Sequence, residues 1–157
     1  MGGLLPMGTI RRIERDDVGA WAALRGRLWP DAEVSDLLSE ARAYAAGTSQ
    51  TIALAWIACS DAAHEYLGFV EVCVRAFSDG CDSMPVPHVE GWYVEPVARG
   101  RGIGRALMRA AEEWARAEGF REIASDTEVH NEASLHAHQA CGFEEVDRLI
   151  KFRKELA

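Results

Sequence analysis

The 157-residue chain contains no run of about 18 apolar residues, so no part of it is expected to cross a membrane as a helix. Its first residues, Met1-Gly-Gly-Leu-Leu-Pro, lack the basic start and the long apolar stretch of a secretion signal. Met7 offers a second possible start. None of the four cysteines, at positions 59, 73, 81 and 141, forms a C-x-x-C pair with another, which excludes the common zinc and redox motifs. Cys59 and Cys73 fall in apolar, strand-like runs and are expected to be buried as small hydrophobes. Four thiols outside such motifs suit a reducing cytoplasm. Positive charge is in the minority: 17 Lys and Arg stand against 25 Asp and Glu, a net charge of −8. That balance argues against a nucleic-acid partner held through its phosphates. It is compatible with a cationic substrate drawn in by the overall field, and equally with plain solubility. Repeats, linkers and low-complexity segments are absent too. The length fits one domain, which reads as residues 9–157 behind a leader of residues 1–8. A chain of this size buries roughly 70% of its unfolded surface, enough for a core without staples.

The stretch from Glu90 to Trp114 is the most informative. Trp92, Tyr93 and Val94 favour a strand. Pro96 stops it, because proline offers no N–H to a ladder. Ile103, Leu107, Ala110, Ala111 and Trp114 recur at helical spacing. Between strand and helix stands Arg99-Gly-Arg-Gly-Ile-Gly. Gly100, Gly102 and Gly104 let backbone N–H groups approach an anion, and the following helix points its N-terminal dipole at the same place. Arg99, Arg101 and Arg105 add charge, so the loop reads as a phosphate cradle in an acidic chain. No lysine follows the glycines, so it is not a P-loop. Their spacing is G-x-G-x-G, not the G-x-G-x-x-G of a dinucleotide fold.

Along the rest of the chain the pattern predicts a strand at 9–14, then a helix capped by Asp16 or Asp17 and ended by Pro30. A second helix at 34–46 closes at Gly47. Strands follow at 50–59 and 66–75, joined by a turn at 60–65. Residues 77–88 read as an irregular loop, and loops of that length are uncommon unless functional. After the central strand and the helix, which Gly119 closes, come a short strand at 121–125, a helix at 131–141 and a last strand at 143–153. The order β-α-α-β-β-β-α-β-α-β implies an α/β (α+β) protein, with a mixed central sheet flanked by helices on both faces.

Arg99-x-x-Gly102-x-Gly104 resembles the pyrophosphate loop of the GNAT family of acetyl-CoA-dependent N-acetyltransferases, and the order of elements is similar to the GNAT fold over about residues 9–153. Asn131-x-x-Ser134-x-x-x-His138-x-x-x-Gly142-Phe143 resembles the family's second signature. The resemblance implies that Asn131 helps to hold the pantetheine arm. The family usually carries a tyrosine at the position of His138, the acid that protonates the leaving thiolate; here His138 or water takes that role. Four further pieces are similar to one subgroup, the aminoglycoside 6'-N-acetyltransferases: Leu28-Trp29-Pro30; Gly80-Cys-Asp-Ser-x-Pro85-Val with Glu90-Gly91; Ala124-Ser-Asp-Thr127; and Gly142-Phe-Glu-Glu145 leading to Asp147. This resemblance implies a pocket in which Trp29 and Phe77 line the drug, and Glu90, Asp126 and Asp147 bind its ammonium groups. It also implies acetyl-CoA as cosubstrate, no metal, and a cytoplasmic homodimer. Pyrophosphate is then expected on the backbone of Gly100, Arg101, Gly102, Ile103, Gly104 and Arg105, with Arg99 beside it. Pantetheine would lie along Trp92, Tyr93 and Val94, with a main-chain N–H near Val94 polarising the thioester. Glu90 is the first choice of base and Asp126 the next. Glu71 is a weaker candidate for the pocket, and Cys141 a weak one for a nucleophile. Acetylation of another amine, such as a polyamine or a protein N-terminus, and a non-catalytic acyl-CoA sensor are the alternatives.

Overall fold

The computed structural model describes residues 8–60 and 65–156. The expected leader (but for Gly8) and residues 61–64 of the expected turn at 60–65 lie outside the described residues. The chain runs β1 (Thr9–Arg12), α1 (Val18–Leu28), α2 (Val34–Ala45), β2 (Leu54–Cys59), β3 (Tyr66–Arg75), β4 (Val86–Val94), α3 (Ile103–Ala117), β5 (Ala124–Ser125) and α4 (Glu132–Ala140). The five strands form one sheet in the order β1-β2-β3-β4-β5. The first three pairings are antiparallel and β4–β5 is parallel, so the sheet is mixed as expected.

Each face of the sheet has its own core. On one face Val70, Val72 and Val89 pack beneath Ile103, Leu107, Met108 and Ala111, the apolar stripe of α3. On the other, Ala55, Ile57 and Phe69 meet Trp21 and Leu24 of α1 and Ala41 of α2. The alternation of β2 and β3 divides their side chains between these two cores.

Boundaries differ from expectation in ways that have physical causes. Asp17 does stand at the N-cap of α1, but its carboxylate makes no cap bond there. It accepts from the Arg11 guanidinium at 2.6 and 2.7 Å, from the Glu14 N–H at 2.8 Å and from the Tyr66 hydroxyl at 3.1 Å. A buried carboxylate takes the strongest donors within reach. β4 reaches back to Val86 and shortens the expected loop, with Pro87 lying inside the strand opposite Val74. Pro87 is only the second residue of the strand, where a missing N–H is tolerated. The strand expected at 143–153 does not form: residues 143–156 carry no regular structure and are mostly exposed. A strand exists only as part of a ladder, and this segment pairs with no strand of its own chain among the described residues. Cys59 and Cys73 are half-buried, not buried.

Two irregularities of β4 shape what lies around it. Glu71 pairs with Gly91 and Val72 with Val89, so Glu90 is an extra residue without an opposite number, a bulge. The pairing of β4 with β5 covers only His88↔Ala124 and Val89↔Ser125. Beyond Val89 the two strands part, which leaves residues 90–94 of β4 with main-chain groups that β5 does not use.

Candidate active site

A cleft of about 700 Å³ opens over the α1–α2 face of the sheet. Trp29, the residue that ends α1, forms one wall; Glu71 and Cys73 of β3 and Glu90 of the β4 bulge form another. One arginine, Arg25, faces three carboxylates among the lining residues, those of Glu40, Glu71 and Glu90. The wall is therefore formally acidic, and it suits a ligand with several amines.

Arg25 is a surface residue type placed on the buried stripe of α1. Its Nε donates to Glu71 Oε2 at 2.9 Å and its Nη2 to Glu71 Oε1 at 3.2 Å, while Glu40 accepts from Nη2 at 2.6 Å. The guanidinium lies 5.1 Å from the Trp29 ring centre. Arg25 and Glu71 are 4% and 2% exposed. Burial pushes the Glu71 carboxyl up to about 7, against the pull of Arg25. Gly91 is required beside this group. A Cβ there would stand 2.8 Å from Trp29, 3.0 Å from Phe69 and 3.1 Å from Glu71.

Glu90 projects from the bulge into a cluster of donors. Its Oε1 accepts from the Cys73 thiol at 2.7 Å and from Arg75 at 2.7 and 2.9 Å. His88, two residues earlier on β4, sets Nδ1 at 3.4 Å from the same oxygen and Nε2 at 3.4 Å from Asp126 Oδ2. The imidazole facing it is the largest influence on Glu90. It holds the carboxyl down at about 2 against the opposing effect of burial, with the Cys73 and Arg75 hydrogen bonds adding to it. The Cys73 thiol is pushed up to about 11 by burial and by its bond to Glu90, so it serves as a donor and not as a nucleophile. Asp126 follows β5 at the point where the sheet divides. Burial likewise raises the Cys141 thiol.

The glycine loop lies at the end of the same strand. Pro96–Ala98 makes one 3₁₀ turn, and Gly100 and Gly102 then take φ of 74° and 81°. Gly102 is the N-cap of α3 and supplies no side-chain cap, so the first N–H groups of α3 are left for another acceptor. A Cβ at Gly100 or Gly102 would meet open space. Gly104 is different. A Cβ there would stand 3.3 Å from the Trp92 ring, and its carbonyl accepts from Trp92 Nε1 at 3.1 Å. Arg99 turns back to donate to the Val94 carbonyl at 2.9 Å, and Arg105 donates to Ala140 O at 2.9 Å.

On α4, Asn131 caps the helix by accepting from the Ser134 N–H at 3.0 Å, which leaves its amide nitrogen for a ligand. His138 lies edge-on to Trp92, with ring centres 5.1 Å apart. Its Nδ1 is 2.7 Å from the Ser134 carbonyl, which can only accept, so the proton sits on Nδ1. Nε2 is 2.7 Å from the Ser125 hydroxyl.

The structure thus brings Trp29 and Glu90 into one cleft, sets Asp126 beside it, and puts Trp92, Tyr93, Val94, the glycine loop and His138 along and beyond the parted edge of β4. Phe77 is largely exposed in the loop after β3. Asp147 lies in the exposed C-terminal segment, where its carboxylate accepts from the Arg148 N–H at 2.7 Å. No hydrogen bond or ion pair among the described residues joins either of them to Glu90 or Asp126. Sequence reasoning missed Arg25, Arg75 and His88. The spacing of two between His88 and Glu90 on a strand was a signal for the last of these.

Residues 20–143 match the model of the Acetyltransferase (GNAT) family. Among characterised proteins, the chain is 44% identical over 149 residues to the aminoglycoside N(6')-acetyltransferase type 1 of Stenotrophomonas maltophilia, covering 94% of each chain. It is 42% identical over 147 residues to the protein of the same name from Klebsiella aerogenes, covering 94% of this chain and 96% of that one. Among solved structures it superposes with a TM-score of 0.85, at 34% identity, on AAC(6')-Iy in complex with the bisubstrate analogue CoA-S-monomethyl-acetylneamine, over 94% of this chain and 98% of that one. The CoA complex of the same enzyme gives a TM-score of 0.85 over 98% and 100% of the two chains.

Proposed function

This chain belongs to the GNAT family of acetyltransferases, and from that premise we propose that it is an aminoglycoside 6'-N-acetyltransferase, moving the acetyl group of acetyl-CoA onto the 6'-amine of aminoglycoside antibiotics and so conferring resistance to them. The observation that carries this reading is the acidic cleft beside the parted strand. Trp29, Glu71 and Glu90 line it, and the chain is similar over nearly its whole length to enzymes named for this activity.

Acetyl-CoA and drug bind together. The pyrophosphate is held by the uncapped N–H groups at the start of α3 and by the backbone of residues 100–105, with Arg101 supplying charge. Pantetheine takes the main-chain groups of Trp92, Tyr93 and Val94 that β5 leaves unused, and the amide of Asn131 adds a donor. A main-chain N–H of β4 near Val94 polarises the thioester carbonyl. Trp29 supplies a flat apolar wall for the sugar rings, and Glu90 and Asp126 receive ammonium groups; Phe77 and Asp147 complete the pocket only by movement of their exposed segments. Each charge-assisted hydrogen bond is worth ~1.5–3 kcal/mol. The 6'-ammonium gives a proton to Glu90, directly or through a water, and the freed amine attacks the thioester. The thiolate leaves and is reprotonated from the Ser125–His138 pair or from water.

The exposed C-terminal segment supports a homodimer. Val146, Leu149, Ile150 and Phe152 are 62, 55, 80 and 91% exposed. Such a run finds backbone and apolar partners on a second copy.

The test of the activity is thiol release from acetyl-CoA by the purified protein, with and without kanamycin or tobramycin. Drug-dependent release, with one acetyl placed on the 6' nitrogen by mass spectrometry, is expected. Coenzyme A binding without release on any aminoglycoside rejects this function.

A further inference from the structure

His88 is 1% exposed, and its Nδ1 has no hydrogen-bond partner. An unsatisfied polar atom in a sealed position calls for an explanation. The ring lies between two carboxylates, 3.4 Å from each. A carboxylate can only accept when ionised, so a neutral imidazole offers a proton to one neighbour and a lone pair to the other. At rest the neutral ring satisfies one of the two, and a second proton lets it satisfy both. The charged and titratable groups around it are Glu90 on its own strand, Cys73 and Arg75 on β3, and Asp126 beyond β5. Arg25, Glu71 and Glu40 form a separate group further along the cleft.

Glu90 touches the cleft, but Cys73 and Arg75 already donate to its Oε1, which makes it a poor resting place for a proton. A base works best when its affinity for the proton lies near the working pH. Histidine is the side-chain type that changes charge in that range.

We propose that His88 is the positioning residue and proton store of the acceptor site, taking through Glu90 the proton that the substrate ammonium gives up. This rests on the acetyltransferase reading above. The ammonium N–H bond breaks and its proton passes along the Glu90 carboxylate to Nδ1, whose new N–H bond forms. The amine lone pair attacks the thioester carbonyl, and the C–S bond breaks with its electron pair on sulfur. The second nitrogen proton goes to the thiolate, giving free coenzyme A. The imidazolium returns its proton to solvent when the amide product leaves. Charge is conserved across the first transfer, because the two carboxylates that hold the ammonium also hold the imidazolium. His88 is 1% exposed and flanked by the carboxylates of Glu90 and Asp126.

The test compares wild type with His88→Phe and His88→Gln in steady-state turnover of kanamycin from pH 5.5 to 9.5, with coenzyme A affinity and melting temperature measured alongside. Both variants are expected to lose ~10²-fold or more in kcat at neutral pH. The shape of their pH profile should also change, with coenzyme A affinity unchanged. Gln keeps a donor for one carboxylate but cannot take a proton, so rescue by His88→Gln overturns the proposal, as does an unaltered pH profile in either variant. A readout free of folding effects is the ¹⁵N spectrum of the His88 ring in the wild-type protein with coenzyme A bound. A neutral ring in the coenzyme A complex that gains a proton when kanamycin is bound is expected, and a ring already doubly protonated before kanamycin is added overturns the assignment. Wild type that acetylates no aminoglycoside rejects the activity and the proton route with it, whereas active wild type with indifferent His88 variants rejects the proton route alone.

Discussion

At the scale of single residues, the acceptor cleft concentrates charge that the fold must keep paired. Replacing Arg25 with Met strands the buried Glu71 carboxylate and is expected to cost about 3–5 kcal/mol. The double variant Arg25→Met/Glu71→Leu should recover most of that in urea titrations, because the penalty is the unpaired charge and not the lost bridge. Glu90 gives a prediction with the opposite chemistry. Its carboxyl is held at about 2 in the folded protein against 4.5 as a free side chain. A depressed carboxyl adds stability above the unfolded value and loses it as pH falls from about 4.5 toward 2. Glu90→Gln should therefore flatten the acid limb of the stability curve over that window, leaving the share due to Asp17, which is lowered as well. In assays the same variant should lose ~10²-fold or more in kcat while coenzyme A affinity holds; near-normal turnover removes Glu90 from the proton path.

At the scale of elements, the β4 bulge and the turn into α3 do the positioning. The bulge turns Glu90 toward the cleft and parts β4 from β5; Gly91 beside it leaves space for the Trp29 ring. The cradle depends on Gly102, whose φ of 81° a β-branched residue adopts only with strain. Gly102→Val is expected to weaken coenzyme A binding by more than tenfold, ~1.4 kcal/mol or more, with little change in melting temperature because the loop is exposed. Fluorescence titration with coenzyme A checks this, and retained affinity removes the loop from the cofactor site.

At the scale of the whole molecule, two features call for partners. The exposed apolar face of residues 146–152 is expected to hold two copies together. Leu149→Glu/Phe152→Glu should shift the protein from dimer to monomer in light scattering, and an unchanged mass, or a monomeric wild type, removes the segment from any interface. The net charge of −8 should draw a polycationic drug from a distance. Raising salt from about 0.05 to 0.5 M shortens the screening length from ~14 to ~4 Å. It should raise KM for kanamycin and leave kcat nearly level, as steady-state kinetics would record.

The strands and α-helices of the described residues could be placed from the chain alone, because each is written in local chemistry. Apolar spacing marks α3, alternation marks β2 and β3, and glycines at 47, 119 and 142 close helices with positive φ. The glycine turn into α3 was legible for the same reason, as its backbone geometry depends on neighbours in the chain. Glu90 and Trp29 could be named from motif alone. Only tertiary structure decided the rest. It decided that Arg25 is buried against Glu71, 46 residues away, and that Asp17 answers Arg11 and Tyr66 instead of capping its helix. It also decided that His88 lies between Glu90 and Asp126. The expected last strand failed on the same ground. Residues 143–153 carry the pattern of a strand, but a strand's hydrogen bonds belong to two segments at once, and the second is not encoded in the pattern of the first.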